Sequence, residues 1–137
     1  VTYAFNGRGF DAPDPKWSGG RRSTAISSIV FDCAAPGALA EFYAKATGWA
    51  VSHADADSAG VDGGAVQLSF QRIDGYQGPG WANDAKHLHL DLLVADVEAA
   101  TRELAGLGAT VPDFQPGGDG WTVLVDPEGH PFCISAA

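Results

Sequence analysis

Methionine is absent from this 137-residue chain, and cysteine occurs only twice, at Cys33 and Cys133. Two cysteines so far apart make neither a disulfide framework nor a zinc-ligand cluster by their spacing. Each sits in an apolar, strand-like stretch, so buried free thiols are expected. Basic residues are also scarce: 8 Lys and Arg stand against 17 Asp and Glu, a formal charge of -9. Nucleic acid and anionic membrane surfaces are therefore excluded as expected partners, because binding them needs clustered cations, and Arg21 with Arg22 is the only adjacent basic pair. No apolar run approaches the roughly 20 residues that span a bilayer. The first 22 residues are polar and rich in Gly and Pro, unlike a secretory signal, and a cytoplasmic protein is the expectation. The glycines lack the strand-to-helix setting and the lysine of a phosphate-binding loop. The surplus acidity suits a cationic ligand or simply a well-solvated surface.

What is present is a composition 45% hydrophobic, in a length that suits one domain. Residues 1–24, with Asp11, Pro13, Asp14, Pro15, Gly19 and Gly20, read as an irregular arm that Phe5, Phe10 and Trp17 could anchor. The body, 25–137, then begins. Ile26 to Cys33 is β-branched and aromatic, hence a strand. Pro36 suits a first helical turn, Leu39, Phe42, Tyr43 and Ala46 follow at helical spacing, and Gly48 is the stop, predicting a helix over 36–47. A short strand is expected over Trp49 to His53, a loop or loose hairpin to Gly64, and a strand over Ala65 to Ile73. The linker contains Gly75, Gly78, Pro79 and Gly80. His87 to Val94 reads as the next strand, Asp96 as the cap of a helix to about Leu107, and Gly108 as its stop. Thr110 to Phe114, Trp121 to Val125 and Pro131 to Ser135 are predicted short strands.

The two halves repeat. A shift of 61 residues places His89 on Ser28, Asp91 on Val30, Val94 on Cys33 and Leu104 on Tyr43, so strand, cap, helix and stop recur in order. Repetition of this kind lets one amphipathic unit bury its apolar face against another.

Three segments carry a resemblance. They are Ile26 to Trp49, with Pro36 before Ala38-Leu39-Ala40-Glu41-Phe42-Tyr43 and Gly48; His87-Leu88-His89-Leu90-Asp91-Leu92-Leu93-Val94-Ala95-Asp96; and Asp126-Pro127-Glu128-Gly129-His130-Pro131-Phe132-Cys133. Their order and spacing resemble the glyoxalase-like, vicinal oxygen chelate superfamily, which includes bleomycin resistance proteins and ring-cleaving dioxygenases. The resemblance implies an α+β fold of paired βαβββ modules, here about 26–73 and 87–135, forming a curled, cup-shaped mixed β-sheet. It also implies a homodimer with a small organic molecule in the cup. Family enzymes hold a divalent metal on four cup-facing side chains. The corresponding positions here are Ser28, a residue near Gln71, His89 and Cys133. Serine is a poor neutral ligand for a transition metal, so no conventional metal centre and no cofactor are expected; Gln71, His89 and Cys133 remain as an alternative ligand set.

Strand parity selects the cup face independently. Ile29, Phe31 and Cys33 share one face of the first strand, and Ser28, Val30 and Asp32 the other. Leu90, Leu92 and Val94 likewise oppose His89, Asp91 and Leu93, while Gln67, Ser69 and Gln71 oppose Leu68 and Phe70. The expected ligand-binding residues are Ser28, Asp32, Gln67, Gln71, His89, Asp91 and Cys133, with Trp81 of the linker at the rim. So many polar groups need partners among themselves, water or a ligand. His89 is a candidate general base oriented by Asp91, or simply a histidine satisfied in a polar network. His87 shares its parity, but the pair lacks a third ligand for a zinc site. His130 could face the rim or satisfy its turn, and His53 is equally ambiguous. Cys133 would be a nucleophile only beside a base or cation.

Three functions are consistent with this reading. The first is metal-independent capture of a small molecule, including antibiotic sequestration. The second is lyase, isomerase or oxygenase chemistry on an atypical metal or histidine-based site. The third is an assembly domain whose cup is filled by protein side chains.

Overall fold

The computed structural model describes residues 26–82 and 88–137. The expected arm over 1–24 and His87 lie outside the described residues. Strand β1 (Ser28–Cys33) leads into helix α1 (Pro36–Thr47), then β2 (Ala50–Ala54), β3 (Ser58–Asp62) and β4 (Gln67–Arg72). The second half runs β5 (Leu90–Val94), α2 (Val97–Gly106), β6 (Thr122–Val125) and β7 (Pro131–Ala136). The strands form two mixed sheets, ordered β1-β4-β3-β2 and β5-β7-β6. In each, the first strand of the half runs parallel to the last: Ser28 pairs with Gln67, and Leu90 with Phe132. The expected βαβββ repeat is therefore present, complete in the first half and shortened in the second.

Both helices lie close to where the sequence places them. Gly48 takes a left-handed conformation (φ 75°) at the end of α1, and its N–H closes on the Ala44 carbonyl. Asp96 caps α2 by accepting the Ala99 N–H at 3.0 Å. The start of α1 is different, because its capping position is Ala35, which has no side-chain acceptor. Glu128 of the second half supplies one instead, its carboxylate taking the N–H groups of Ala34 and Ala35 at 3.0 and 3.1 Å.

Strand boundaries differ in three places. The stretch before Gly64, expected as a loop or loose hairpin, is the hairpin, β3 returning antiparallel along β2 with a bulge near Ser52; what the sequence does not show is that β3 is an interior strand of the first sheet. Ser-Ala-Gly-Val-Asp has one β-branched residue and hides its strand character from propensity. Its glycine sits close to a neighbouring strand: a Cβ on Gly60 would lie 2.8 Å from the His53 ring. The expected strand from Thr110 to Phe114 is only a bridge between Thr110 and Val125. Pro112 has no N–H for a ladder, and the Gln115 amide pairs with β6 in its place. That amide donates to the Val123 carbonyl at 2.9 Å and accepts the Val123 N–H at 2.8 Å. Finally, β5 begins at Leu90, so His89 precedes the strand.

One core joins the halves. Phe31, Tyr43 and Phe70 pack with ring centroids 5.2 to 5.6 Å apart, and Phe132 of the second sheet meets Phe42 and Tyr43 at 6.1 and 6.4 Å. Each buried aromatic contributes roughly 1.5–3 kcal/mol relative to exposure. Helix α2 is held more lightly, with Leu104 its only buried side chain. Among the described residues no helix is long and apolar enough to cross a membrane.

Candidate functional site

The division of the strands into a buried and an exposed face holds. Phe31, Cys33, Leu68, Phe70, Phe132 and Ile134 are buried toward the core, whereas Val30, Asp32, Asp91 and Leu93 are exposed and Ser28, Gln67, Ser69 and Gln71 are half-buried. Each sheet thus carries a polar outer face. In the first, Ser28 Oγ and Ser69 Oγ lie 2.6 Å apart, and the Gln67 amide donates to Ser52 Oγ at 3.1 Å. Asp32 points its carboxylate outward while its carbonyl is engaged below, and Gln71 pairs with it across the strands.

In the second sheet His89, Asp91 and Cys133 come together. Asp91 and Cys133 are paired neighbours on β5 and β7, and the His89 Nε2 lies 3.3 Å from Asp91 Oδ1. One ligand atom from each of the three falls within 4.8 Å of the others. Among the described residues this is the one group of three or more His, Cys, Asp or Glu side chains so disposed. The side chains of His89 and Asp91 are 47% and 77% exposed, so the group is open to a ligand. Burial pushes the Cys133 thiol above its usual range, and the charge and hydrogen bonding of Asp91 push it further. Cys133 is therefore a protonated thiol at neutral pH, unsuited to act as an unaided nucleophile. Of the alternative ligand set, Gln71 belongs to the other sheet, and Asp91 stands with His89 and Cys133 instead.

Nitrogen, oxygen and sulfur donors in one open group fit zinc, which accepts all three at about 2.0–2.3 Å and keeps a free position in catalytic sites. Ser28, the first-strand ligand position that the resemblance implies, lies on the first sheet and is bonded to Ser69.

Trp81 is oriented by the second half: its indole N–H donates to the Phe114 carbonyl at 2.7 Å, and its ring stacks on Phe114 at 6.2 Å. A groove of about 750 Å³ lies where β5, α2 and the end of α1 meet, bordered by Trp49, Asp91, Leu93, Asp96 and Glu103. Because β5 is the edge of its sheet, residues of both its faces border this groove.

Sequence reasoning missed a buried polar cluster. Asp126 is 3% exposed, and four donors converge on its carboxylate. Oδ1 accepts the N–H groups of Glu128 and His130 at 2.8 and 3.0 Å. Oδ2 accepts the Tyr43 hydroxyl at 2.8 Å and stands 2.7 Å from His130 Nδ1. Burial first, then the Asp126 charge and hydrogen bond, drive the Tyr43 phenol well above its ordinary range. The signal was the Asp-Pro-Glu-Gly-His turn, which places Asp126 and His130 four apart across a glycine.

A family model for the glyoxalase-like domain matches residues 28–135, most of the chain. The chain belongs to the glyoxalase-like domain family. Solved structures agree on the fold. A glyoxalase/bleomycin resistance protein/dioxygenase family enzyme from Burkholderia phytofirmans is 19% identical, with TM-score 0.63 over 82% of this chain and 98% of its own. A glyoxalase-related enzyme from Fulvimarina pelagi is also 19% identical, with TM-score 0.61 over 83% and 88%. The bleomycin-binding protein of Streptomyces verticillus, solved with copper(II)-bleomycin, is 20% identical, with TM-score 0.55 over 85% and 99%. No curated protein gives a significant match. At these identities the likeness to the solved structures shows the fold alone.

Proposed function

We propose that this glyoxalase-like protein captures a small organic molecule on the outer faces of its two sheets, in a cup that a second copy of the chain completes. The observation that carries the reading is the make-up of those faces. Hydrogen-bonding side chains, among them Ser28, Asp32, Gln67, Gln71, His89 and Asp91, surround Val30 and Leu93, which are 54% and 74% exposed. Val30 and Leu93 sit on β1 and β5, the outer strands of their sheets, whose free edges no other described strand covers. Apolar side chains at unpaired edges are what a partner surface buries. The net charge of -9 favours a cationic ligand, and the copper-bleomycin complex of the Streptomyces relative makes a cationic antibiotic one candidate. Sedimentation equilibrium is the test: the chain should dimerise, and Leu93→Glu should shift it to monomer and abolish ligand uptake. A wild-type chain that stays monomeric at high concentration refutes the shared cup.

A second reading is metal-assisted chemistry, and the His89, Asp91 and Cys133 group favours it. Those three side chains would hold the ion, which would polarise a substrate oxygen as a Lewis acid. In that case Asp91 and His89 bind rather than abstract a proton, and the thiol of Cys133 must be deprotonated. Metal analysis of protein purified without added metal separates the readings. Stoichiometric metal that is lost in His89→Gln favours the enzyme, and its absence after zinc loading favours simple capture.

A further inference from the structure

His130 lies outside the site just described, at the junction of the two halves. Its Nδ1 is 2.7 Å from the Asp126 carboxylate, and its Nε2 is 2.7 Å from the backbone carbonyl of Asp32. Both partners are acceptors, since a carbonyl oxygen has no proton to give and the Asp126 carboxylate already accepts three other hydrogen bonds. A neutral imidazole has one N–H and can satisfy only one of them. Only the imidazolium donates to both. The Tyr76 hydroxyl stands 2.9 Å from the same Nε2, its ring stacked on the imidazole at 5.5 Å, and a hydroxyl can either accept or donate.

We propose that His130 is a proton-operated clamp between the two halves of the chain. When charged, the ring ties the end of β1, through the Asp32 carbonyl, to the turn between β6 and β7. When it loses its proton, Asp126 retains the Nδ1 hydrogen, so the bare lone pair falls on Nε2. That lone pair faces the lone pairs of the Asp32 carbonyl, and the contact is lost. Tyr76 then donates its hydroxyl to Nε2. The clamp exchanges a strand for a phenol.

The groups around the ring agree. Around it are Asp126 and Glu128 from its own turn, Asp32 from β1 and Tyr76 from the segment after β4, while Tyr43 from α1 shares the Asp126 carboxylate. The described cations are engaged elsewhere: Lys45 with Glu41, Arg102 with Glu98, and Arg72 with Asp57 and Asp74. Burial lowers the proton affinity of His130, but the hydrogen bond and charge of Asp126, the Asp32 carbonyl and Glu128 outweigh it, and the net shift is upward. A raised folded value means the clamp is fully closed below the ordinary histidine value of about 6.5 and opens as pH rises through the folded one. Asp32 and its neighbours Val30 and Ser28 carry part of the proposed cup, so opening loosens that wall. Only this consequence rests on the proposed capture site; the clamp itself does not.

The test is an NMR titration of the ligand-free full chain, following the His130 ring nitrogens and the Cys33 amide, whose peptide includes the Asp32 carbonyl. At about pH 6, below the ordinary histidine value, both ring nitrogens should carry protons. The Cys33 amide shift should move with the same midpoint, above 6.5. Tyr76→Phe removes the donor that receives the neutral ring, so that midpoint should rise by about half a unit, roughly threefold in proton affinity. A single ring N–H at about pH 6, a Cys33 amide that ignores the titration, or an unmoved or lowered midpoint in Tyr76→Phe would each overturn the clamp. Because no ligand is used, a failed capture reading leaves this result standing, and the reverse is also true.

Discussion

Replacing Tyr43 by phenylalanine removes one oxygen from the centre of the molecule and leaves its ring in place. The ring is buried among Phe31, Phe42, Phe70 and Phe132, so the apolar packing is preserved. What is lost is the hydroxyl that donates to Asp126 Oδ2 at 2.8 Å. A hydrogen bond to a charged group contributes about 1.5–3 kcal/mol, and Asp126 has no route to water that would replace the donor, so about 2 kcal/mol is expected. Unfolding entropy of about 2.1 cal/mol/K per residue makes this a fall in Tm of about 7 °C for a chain of this length. Urea and thermal denaturation followed by circular dichroism measure both quantities. A loss below about 0.5 kcal/mol, the noise of surface substitutions, would show that Asp126 does not depend on the phenol and that the buried cluster is wrongly assigned.

Three further outcomes are expected. Glu128→Ala uncaps α1 at Ala34 and Ala35 and should cost about 1 kcal/mol in urea denaturation; no loss would mean that water caps the helix equally well. Gln115→Ala deletes the amide that stands in for a strand beside Val123, and it should cost about 1–2 kcal/mol, with faster exchange of the Val123 amide hydrogen. Asp91→Asn removes a charge that raises the Cys133 thiol, so alkylation at fixed pH should quicken severalfold. Cys33, buried and pushed up to about 11, should stay unreactive in both proteins.

The periodic features of the fold were legible in the sequence. Helix limits followed from Pro36, Gly48 and Asp96, and the two faces of β1, β4 and β5 followed from alternation alone, because each sheet has one buried face. Two strands misled for opposite reasons. Segment 58–62 pairs on both sides despite small residues, since neighbours dictate its conformation. Segment 110–114 has suitable residues, but Pro112 interrupts its ladder and a glutamine side chain completes β6. At the site, the parity argument gathered His89, Asp91 and Cys133 onto one face. It could not show that Asp91 would complete the group in place of Gln71, because that depends on which strands share a sheet. The Asp126 and His130 cluster escaped for a related reason: its partners Tyr43, Tyr76 and the Asp32 carbonyl come from three distant segments.

Native mass spectrometry, with metal analysis of the same sample purified without added metal, tests the central claim most directly. Capture in a shared cup predicts a species of twice the 14.2 kDa chain mass. It also predicts that this species takes up one small organic cation per cup, with no metal required. A species of single chain mass that takes up no small molecule would contradict it.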